Sequence, residues 1–146
     1  MADSGASTVF PIRAGEVKKG GHVMIKEHPC KVIEVTTSKT GKHGHAKANI
    51  TGIDIFEGSK HMDISPTSHN MEAPFVTTTN YTIIDVGPEM FATLMDAEGE
   101  TREDLNLDIE KYEHQKKVHE EFLEKGECEV RVIKACGREM IFPLAG

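Results

Sequence analysis

Apolar and polar residues alternate with a period of two over most of the chain, which is the pattern of half-buried β-strands. In the first half this alternation predicts four strands, at residues 22–27, 29–37, 46–56 and 60–65. In the segment 46–56, Ala48, Ile50 and Gly52 fall on one face. Short strands separated by turn signals, with no helical period between them, predict a small β-barrel.

The second half begins in the same way, with predicted strands at residues 81–86, 89–95 and 101–107. The period then changes, because Ile109, Tyr112, Val118 and Phe122 fall at helical spacing within 108–125, and Gly126 is a suitable helix end. Strand character returns at 128–135 and 139–142. Three strands, a helix and two strands are compatible with a five-stranded barrel of the OB type.

Charge divides the chain near its middle. The 146 residues carry a formal net charge of −7, of which residues 1–75 contribute +1 and residues 76–146 contribute −8. Six of the eight histidines also lie in the first half. Such a step predicts two modules with different partners. We therefore expect a flexible N-terminus at 1–9, a first barrel at 10–75 and a second at 76–146, with the polar stretch 77–80 serving as a linker beside Pro74.

Composition excludes several classes of protein. No apolar run approaches the roughly 20 residues of a membrane span, and the first residues lack the features of a secretory signal. Cys30, Cys128 and Cys136 are widely spaced and odd in number, which argues against a disulfide framework. We expect them to be small apolar core residues of an intracellular protein. The chain has few aromatic residues and no Trp, so a broad stacking platform for bases is not expected.

The segment 38–47, between two predicted strands, carries the main chemical signal. No acidic residue occurs from position 35 to position 53. Gly41 and Gly44 bracket Lys42 and His43, and glycine permits the positive φ angles of a tight turn. The spacing predicts a hairpin tip that presents Lys42 outward, where its ammonium group can reach a phosphate or be modified. The other basic or titratable residues of the segment are Lys39, His45 and Lys47.

Three interpretations of this segment follow from the residues alone. It can be a solvated hairpin turn that happens to be basic. A nucleotide-binding P-loop is disfavoured, because Thr36 stands where the pattern needs Gly and His43 where it needs Ser or Thr. A metal site at His43 and His45, completed by His61 or His69, lacks specified further ligands, and we expect no bound metal.

The motif resembles the signature of the eukaryotic translation initiation factor 5A family. Residues 36–47 read Thr-Thr-Ser-Lys-Thr-Gly-Lys-His-Gly-His-Ala-Lys, which matches the family's motif nearly letter for letter. The match continues at 52–56 and 68–71, begins at 8–11, and is looser over 101–105. This family of hypusine-containing translation factors is related to archaeal initiation factor 5A and to bacterial elongation factor P.

The resemblance implies a mainly β protein of two domains, an N-terminal SH3-like barrel and a C-terminal OB-fold barrel with one helix. It implies a non-enzymatic, cytoplasmic translation factor that binds the ribosome next to the peptidyl-tRNA and promotes slow peptide-bond formation, at proline-rich sequences for example, and termination. It also implies that deoxyhypusine synthase and deoxyhypusine hydroxylase convert Lys42 to hypusine, using spermidine, and that no other cofactor is needed. The implied RNA-contacting loop consists of Lys39, Thr40, Gly41, Lys42, His43, Gly44, His45 and Lys47.

Two alternatives belong to other classes of function. A general RNA-binding module would use the same basic loop without a modified residue. A metal- or nucleotide-dependent enzyme would use the Lys and His side chains of the loop for catalysis. The resemblance covers the first half strongly and the second half mainly in layout. One departure is that the chain stops at Gly146, where some relatives continue into a further helix.

Overall fold

The computed structural model describes residues 7–39 and 46–144. These residues divide into two compact units, of which the first ends at Val76 and the second begins at Thr77. Val76 carries no charge, so the net charges of +1 and −8 belong to these two units as well.

The first unit contains six strands in two antiparallel sheets. These are β1 (Val9–Arg13), β2 (His22–Ile25), β3 (His28–Lys39), β4 (Ala46–Asp54), β5 (Lys60–Pro66) and β6 (Asn70–Pro74). Strands β1 and β6 pair with each other, and the larger sheet has the order β2-β3-β4-β5. A short 3₁₀ turn, Ala14–Glu16, follows β1.

The core of the first unit lies on one face of the larger sheet. Ala48 and Ile50 of β4 are fully buried, as is Gly52, and the residues between them are only partly covered. The alternation along 46–54 therefore separates two faces as the sequence predicted, and the fold buries the one that carries Ala48, Ile50 and Gly52. Other members of this core are Ala14, Val17, Val23, Ile25, Cys30 and Val32.

The second unit contains one five-stranded antiparallel sheet and the one α-helix among the described residues. Its strands are β7 (Thr77–Val86), β8 (Phe91–Met95), β9 (Thr101–Asn106), β10 (Cys128–Ala135) and β11 (Arg138–Pro143), in the order β11-β10-β7-β8-β9. Helix α1 (Glu113–Lys125) packs against β10 and β11. Gln115, 2% exposed, accepts a hydrogen bond from the Asp108 N–H and donates one to the Ile141 carbonyl, which ties the start of the helix to its neighbours.

The predicted fold class is confirmed: both units are built from curled antiparallel sheets, and the second contains helix α1. Several bounds differ from the sequence-based expectation. The predicted linker 77–80 is the first part of β7, because its backbone pairs with β10 from Thr77 to Asn80. The sequence placed Val9 in a flexible N-terminus, but this residue is the first of β1 and pairs with Pro74 of β6.

Two further differences have local causes. The helix begins at Glu113 and not at Asp108, because the Asp108 carboxylate accepts hydrogen bonds from the N–H groups of Glu110 and Lys111 and holds a turn there. The first hairpin strand ends at Ile25, because Lys26 and Glu27 adopt positive φ angles in a two-residue turn. Such a turn matches the right-handed twist of its flanking strands.

Candidate functional site

The segment with the predicted modification site connects the last residue of β3, Lys39, to the first residue of β4, Ala46. These strands pair continuously toward the loop, and the last two pairs are Ser38 with Lys47 and Lys39 with Ala46. Of the predicted site residues, Lys39 and Lys47 belong to these strands and are exposed. The remaining predicted residues, at positions 40–45, lie outside the described residues.

The two flanking lysines lie on opposite faces of the β3–β4 ribbon. Residues paired across an antiparallel ladder share a face, and successive residues alternate between faces. Lys39 therefore shares the face of Ala46 and Ala48, and Lys47 shares the other face with Ser38. A partner that contacts this end of the hairpin meets a positive charge on either side.

The loop end of the hairpin extends beyond the core. From Thr36 to Lys39 every residue of β3 is exposed, whereas Val32 nearer the other end is 1% exposed. The sequence between positions 35 and 53 contains no acidic residue, so the loop end of the ribbon carries lysines and no carboxylate of its own. The exposed, cationic end of an otherwise packed sheet is suited to contact a polyanion.

Backbone hydrogen bonds anchor the base of the loop on the β4 side. The Ala46 carbonyl accepts a 3.0 Å hydrogen bond from the Thr67 N–H, and the Thr67 carbonyl accepts one of 3.0 Å from the Gly15 N–H. A Cβ atom at Gly15 would lie 3.1 Å from the Thr67 carbonyl oxygen, so this approach favours glycine. Sequence reasoning missed Gly15 and Thr67, because they are distant in the chain and only the folded register brings them to the loop.

The structure also bears on the two alternative loop chemistries. A strand begins at Ala46, where a P-loop requires a helix whose N-terminus faces the phosphates. His69 is exposed in the turn after β5. His61 lies in β5 opposite Gly52, near the end of β4 that is remote from the loop, and there it stacks on His28. The proposed completion of a loop metal site by His61 is therefore disfavoured.

In the second unit, an ion-pair network joins the two outermost strands of the sheet. Arg102 of β9 donates hydrogen bonds of 3.0 and 2.8 Å to the Glu139 carboxylate of β11, and two of 2.7 Å to Asp104. These hydrogen bonds hold the pKa of both carboxyl groups below their usual values, although burial opposes the shift. The network connects the edges of the curled sheet, where an OB barrel closes.

Among the described residues, no helix is long and apolar enough to cross a lipid bilayer. Cys30 and Cys128 are buried, and burial raises the pKa of each thiol to about 11. Cys136 is exposed in the turn between β10 and β11, so its predicted place in the core is wrong. A two-residue turn with Cys136 at a φ of 54° places that residue outside the packed strands.

Comparison with known proteins gives matches along nearly the whole chain. The family described as "Translation initiation factor 5A-like, N-terminal" matches residues 7–69. The family described as "Eukaryotic elongation factor 5A hypusine, DNA-binding OB fold" matches residues 75–144. Eukaryotic translation initiation factor 5A-2 of Solanum lycopersicum is 46% identical over 140 residues, which cover 96% of this chain and 87% of that protein.

Solved structures give the same result. A translation initiation factor eif-5a family protein from Naegleria fowleri superposes with a TM-score of 0.83 at 51% identity, covering 92% of this chain and 96% of that one. Eukaryotic translation initiation factor 5A from Methanococcus jannaschii superposes with a TM-score of 0.69 at 31% identity, covering 93% and 94%. The similarity includes both units, so it does not depend on the loop motif alone.

Proposed function

The chain belongs to the translation initiation factor 5A family, and from that membership we propose that it binds the ribosome beside the peptidyl-tRNA and promotes slow peptide-bond formation through hypusine at Lys42. Members of this family are translation factors and not enzymes. Proline-rich sequences and termination are the steps at which we expect its help. The proposed place of action is the cytoplasm, where ribosomes meet such sequences.

The observation that carries the proposal is the motif at 36–47, which spans the end of an exposed hairpin. Its flanking residues Lys39 and Lys47 lie on opposite faces of the ribbon, and backbone hydrogen bonds through Thr67 anchor one side of its base. The paired ends of β3 and β4 fix the two points between which the segment with Lys42 is attached. This arrangement supports a role in positioning, since a reactive end must be held in one place.

The proposed modification changes the reach of Lys42 and keeps its charge. Deoxyhypusine synthase would transfer an aminobutyl group from spermidine to the lysine amine and release 1,3-diaminopropane. Deoxyhypusine hydroxylase would then convert one C–H bond of the new arm to C–OH, with molecular oxygen as the oxidant. The arm becomes longer and gains a second protonatable nitrogen and a hydroxyl donor and acceptor. Such an arm suits a cleft lined by phosphates and 2′-hydroxyl groups. Protein and arm would orient the peptidyl-tRNA, and the ribosome would perform the chemistry.

A comparison of lysine variants tests the proposal. We expect Lys42→Arg to fold normally and keep its charge, because changes at exposed loop positions usually alter stability by less than about 0.5 kcal/mol. A guanidinium cannot accept the aminobutyl group, so this variant should not stimulate peptide-bond formation on a proline-containing message. Lys39→Ala and Lys47→Ala should retain most of the maximal rate at saturating factor, and should act mainly on affinity or on the efficiency of modification.

The same measurement distinguishes the second candidate function, a general RNA-binding module. That candidate is favoured by the basic hairpin and by the OB fold of the second unit. A module that uses charge alone would lose affinity to a similar degree in Lys39→Ala, Lys42→Ala and Lys47→Ala, with similar dependence on salt. Equal maximal rates for the Lys42→Arg protein and the two flanking variants would refute the special role of Lys42.

A further inference from the structure

Three side chains with metal-binding atoms converge at the end of the larger sheet of the first unit, remote from the loop. His28 is the first residue of β3, Asp54 is the last residue of β4, and His61 is the second residue of β5. One ligand atom from each, two imidazole nitrogens and a carboxylate oxygen, lie within 4.8 Å of one another. They are 26 and 7 positions apart in sequence, and the antiparallel register brings them together.

Asp54 is held in place by the backbone. The residue is 4% exposed, and its Oδ1 atom accepts hydrogen bonds of 2.8 Å from the Phe56 N–H and 3.0 Å from the Glu57 N–H. Its Oδ2 atom lies 2.8 Å from Nδ1 of His28. These contacts use both oxygens of the side chain and give the carboxylate a fixed orientation.

The two imidazoles cover this carboxylate from the solvent side. The rings of His28 and His61 are stacked, with centroids 4.0 Å apart and planes inclined by 15°. Nε2 of His61 lies 2.9 Å from the Ser59 hydroxyl, and the His28 side chain is 42% exposed. The site therefore combines a buried anchor with two partly exposed rings.

We propose that His28, Asp54 and His61 form a binding site for a divalent transition-metal ion, with zinc as the best-matched ion. Two imidazole nitrogens and one carboxylate oxygen are a ligand set that Zn²⁺ takes in proteins, with water in the fourth position. Imidazole disfavours Ca²⁺ and Mg²⁺, which take oxygen ligands. This site departs from the sequence-based expectation of no bound metal, and it uses neither His43 nor His45.

Binding requires a small rearrangement of the exposed rings. Ligand atoms about 2.0–2.2 Å from a tetrahedral ion lie roughly 3.3–3.5 Å from one another. His28 Nδ1 and Asp54 Oδ2, now 2.8 Å apart, would exchange their hydrogen bond for the ion and separate slightly, and any ligand pair nearer the 4.8 Å limit would draw closer. The ion must also lie near the plane of each ring, so the stacked imidazoles must tilt toward each other. The partly exposed rings can make this movement while the backbone hydrogen bonds hold Asp54.

The ion would tie together the ends of three neighbouring strands. A unit of roughly 70 residues has a small core, and small domains commonly gain stability from a structural metal. The site lies roughly 30 Å from the loop end of the sheet, as estimated from the strand lengths at about 3.3 Å per residue. It can therefore bind metal whether or not Lys42 is modified, so its test is separate from that of the proposed function.

Zinc titration of the full-length chain, after removal of metals with a chelator, tests the site. We expect one saturable Zn²⁺ per chain, an increase in the melting temperature of the first unit, and a visible absorption spectrum of tetrahedral Co²⁺ when cobalt replaces zinc. His28→Gln and His61→Gln should each weaken zinc binding by at least about tenfold. Asp54→Asn should do the same, and it keeps the Oδ1 acceptor for the turn.

Matched controls make the outcome decisive. His69→Gln removes an exposed histidine of the same unit, and the double variant His43→Gln/His45→Gln removes the two loop histidines. Both should bind zinc as the parent chain does. His61→Phe keeps a ring in the stacked position, so loss of binding with retained circular dichroism separates ligation from folding. The proposal is overturned if no one-to-one binding occurs, if the His28 and His61 variants keep full affinity, or if only the loop variant loses it.

Discussion

Gly52 shows how closely the core of the first unit is packed around a single residue. A Cβ atom at this position would lie 2.8 Å from Cβ of Cys30 and 3.2 Å from both the Ile25 Cδ1 atom and the Lys31 carbonyl oxygen. The nearest atom belongs to a short, fully buried side chain that cannot move aside without shifting its strand. The position therefore requires glycine for space, and no unusual backbone conformation is involved.

We expect Gly52→Ala to lower the free energy of unfolding of the first unit by about 1–3 kcal/mol, the usual cost of overpacking a core. Thermal or denaturant unfolding of the full chain measures this change. Gly87→Ala is the matched control, because a Cβ atom there would make only an ordinary 3.9 Å contact with the Phe91 carbonyl oxygen. A Gly52→Ala protein as stable as the control would contradict the close packing around Cys30.

Single residues also show where sequence reasoning succeeds and where it stops. The alternation that placed Ala48 and Ile50 on one face depends only on the two-residue period of a strand, and the sequence displays that period directly. Only the fold shows that this face is the buried one. The predicted strands 128–135 and 139–142 already left Cys136 in the connection between them, so its exposure was implied by the local pattern although a core position was expected. The His28–Asp54–His61 cluster depends on register between strands, which no local pattern displays, so it was found only in the folded chain.

Among the secondary-structure elements, β1 and β6 were the strands that the sequence did not predict, whereas the short β2 and the polar β9 were predicted. β1 and β6 are five residues each and contain prolines, which weakens any strand signal. The first residues of β7 are Thr and Asn, which the sequence favoured as a linker, yet they pair with β10. Pairing with a neighbouring strand satisfies their backbone, and this tertiary contribution overrides a local preference.

The contact between β9 and β11 predicts an acid-dependent stability of the second unit. Arg102 lowers the folded-state pKa of Glu139 and Asp104 below their unfolded values, mainly through its hydrogen bonds. The two carboxylates therefore contribute stability at pH values above about 4.5, and this contribution is lost as the pH falls through their lowered folded pKa values. Asp104 is 61% exposed, so solvent screens much of its share.

We expect Arg102→Met to lower the stability of the second unit at pH 7 by about 1 kcal/mol and to flatten its pH dependence between about pH 5 and pH 3. Melting temperatures measured across this range, with Lys117→Met on the exposed face of α1 as control, would show the difference. If the melting temperature of the Arg102→Met protein fell between pH 5 and pH 3 as steeply as that of the parent chain, the network would not stabilise the sheet edges.

Across the whole molecule, charge and chemistry are divided between the two units. The first unit has a net charge of +1 and carries the cationic loop end of the β3–β4 hairpin, whereas the second unit carries a net charge of −8. A strongly acidic unit is repelled by RNA phosphates, so we infer that the first unit faces the tRNA and the second faces basic protein surfaces of the ribosome. The sequence revealed this division, because charge can be counted without a fold.

The family was recognisable from the residues at 36–47, and the comparisons extend it over both units. The motif identifies the loop because its Lys, Gly and His composition is unusual. It does not reveal how the loop is held. The anchoring through Thr67 and Gly15 depends on backbone hydrogen bonds outside the strand ladders. The placement of Lys39 and Lys47 on opposite faces depends on the register of β3 and β4.

The proposed hypusine at Lys42 can be tested by a mass spectrum of the peptide that contains this residue, taken from protein purified from its own cells. We expect a peptide heavier than the unmodified sequence by one aminobutyl group and one oxygen atom. Fragmentation should place the whole addition on Lys42 and leave Lys39 and Lys47 unmodified. An unmodified Lys42, or the same addition on either flanking lysine, would contradict the role proposed for Lys42.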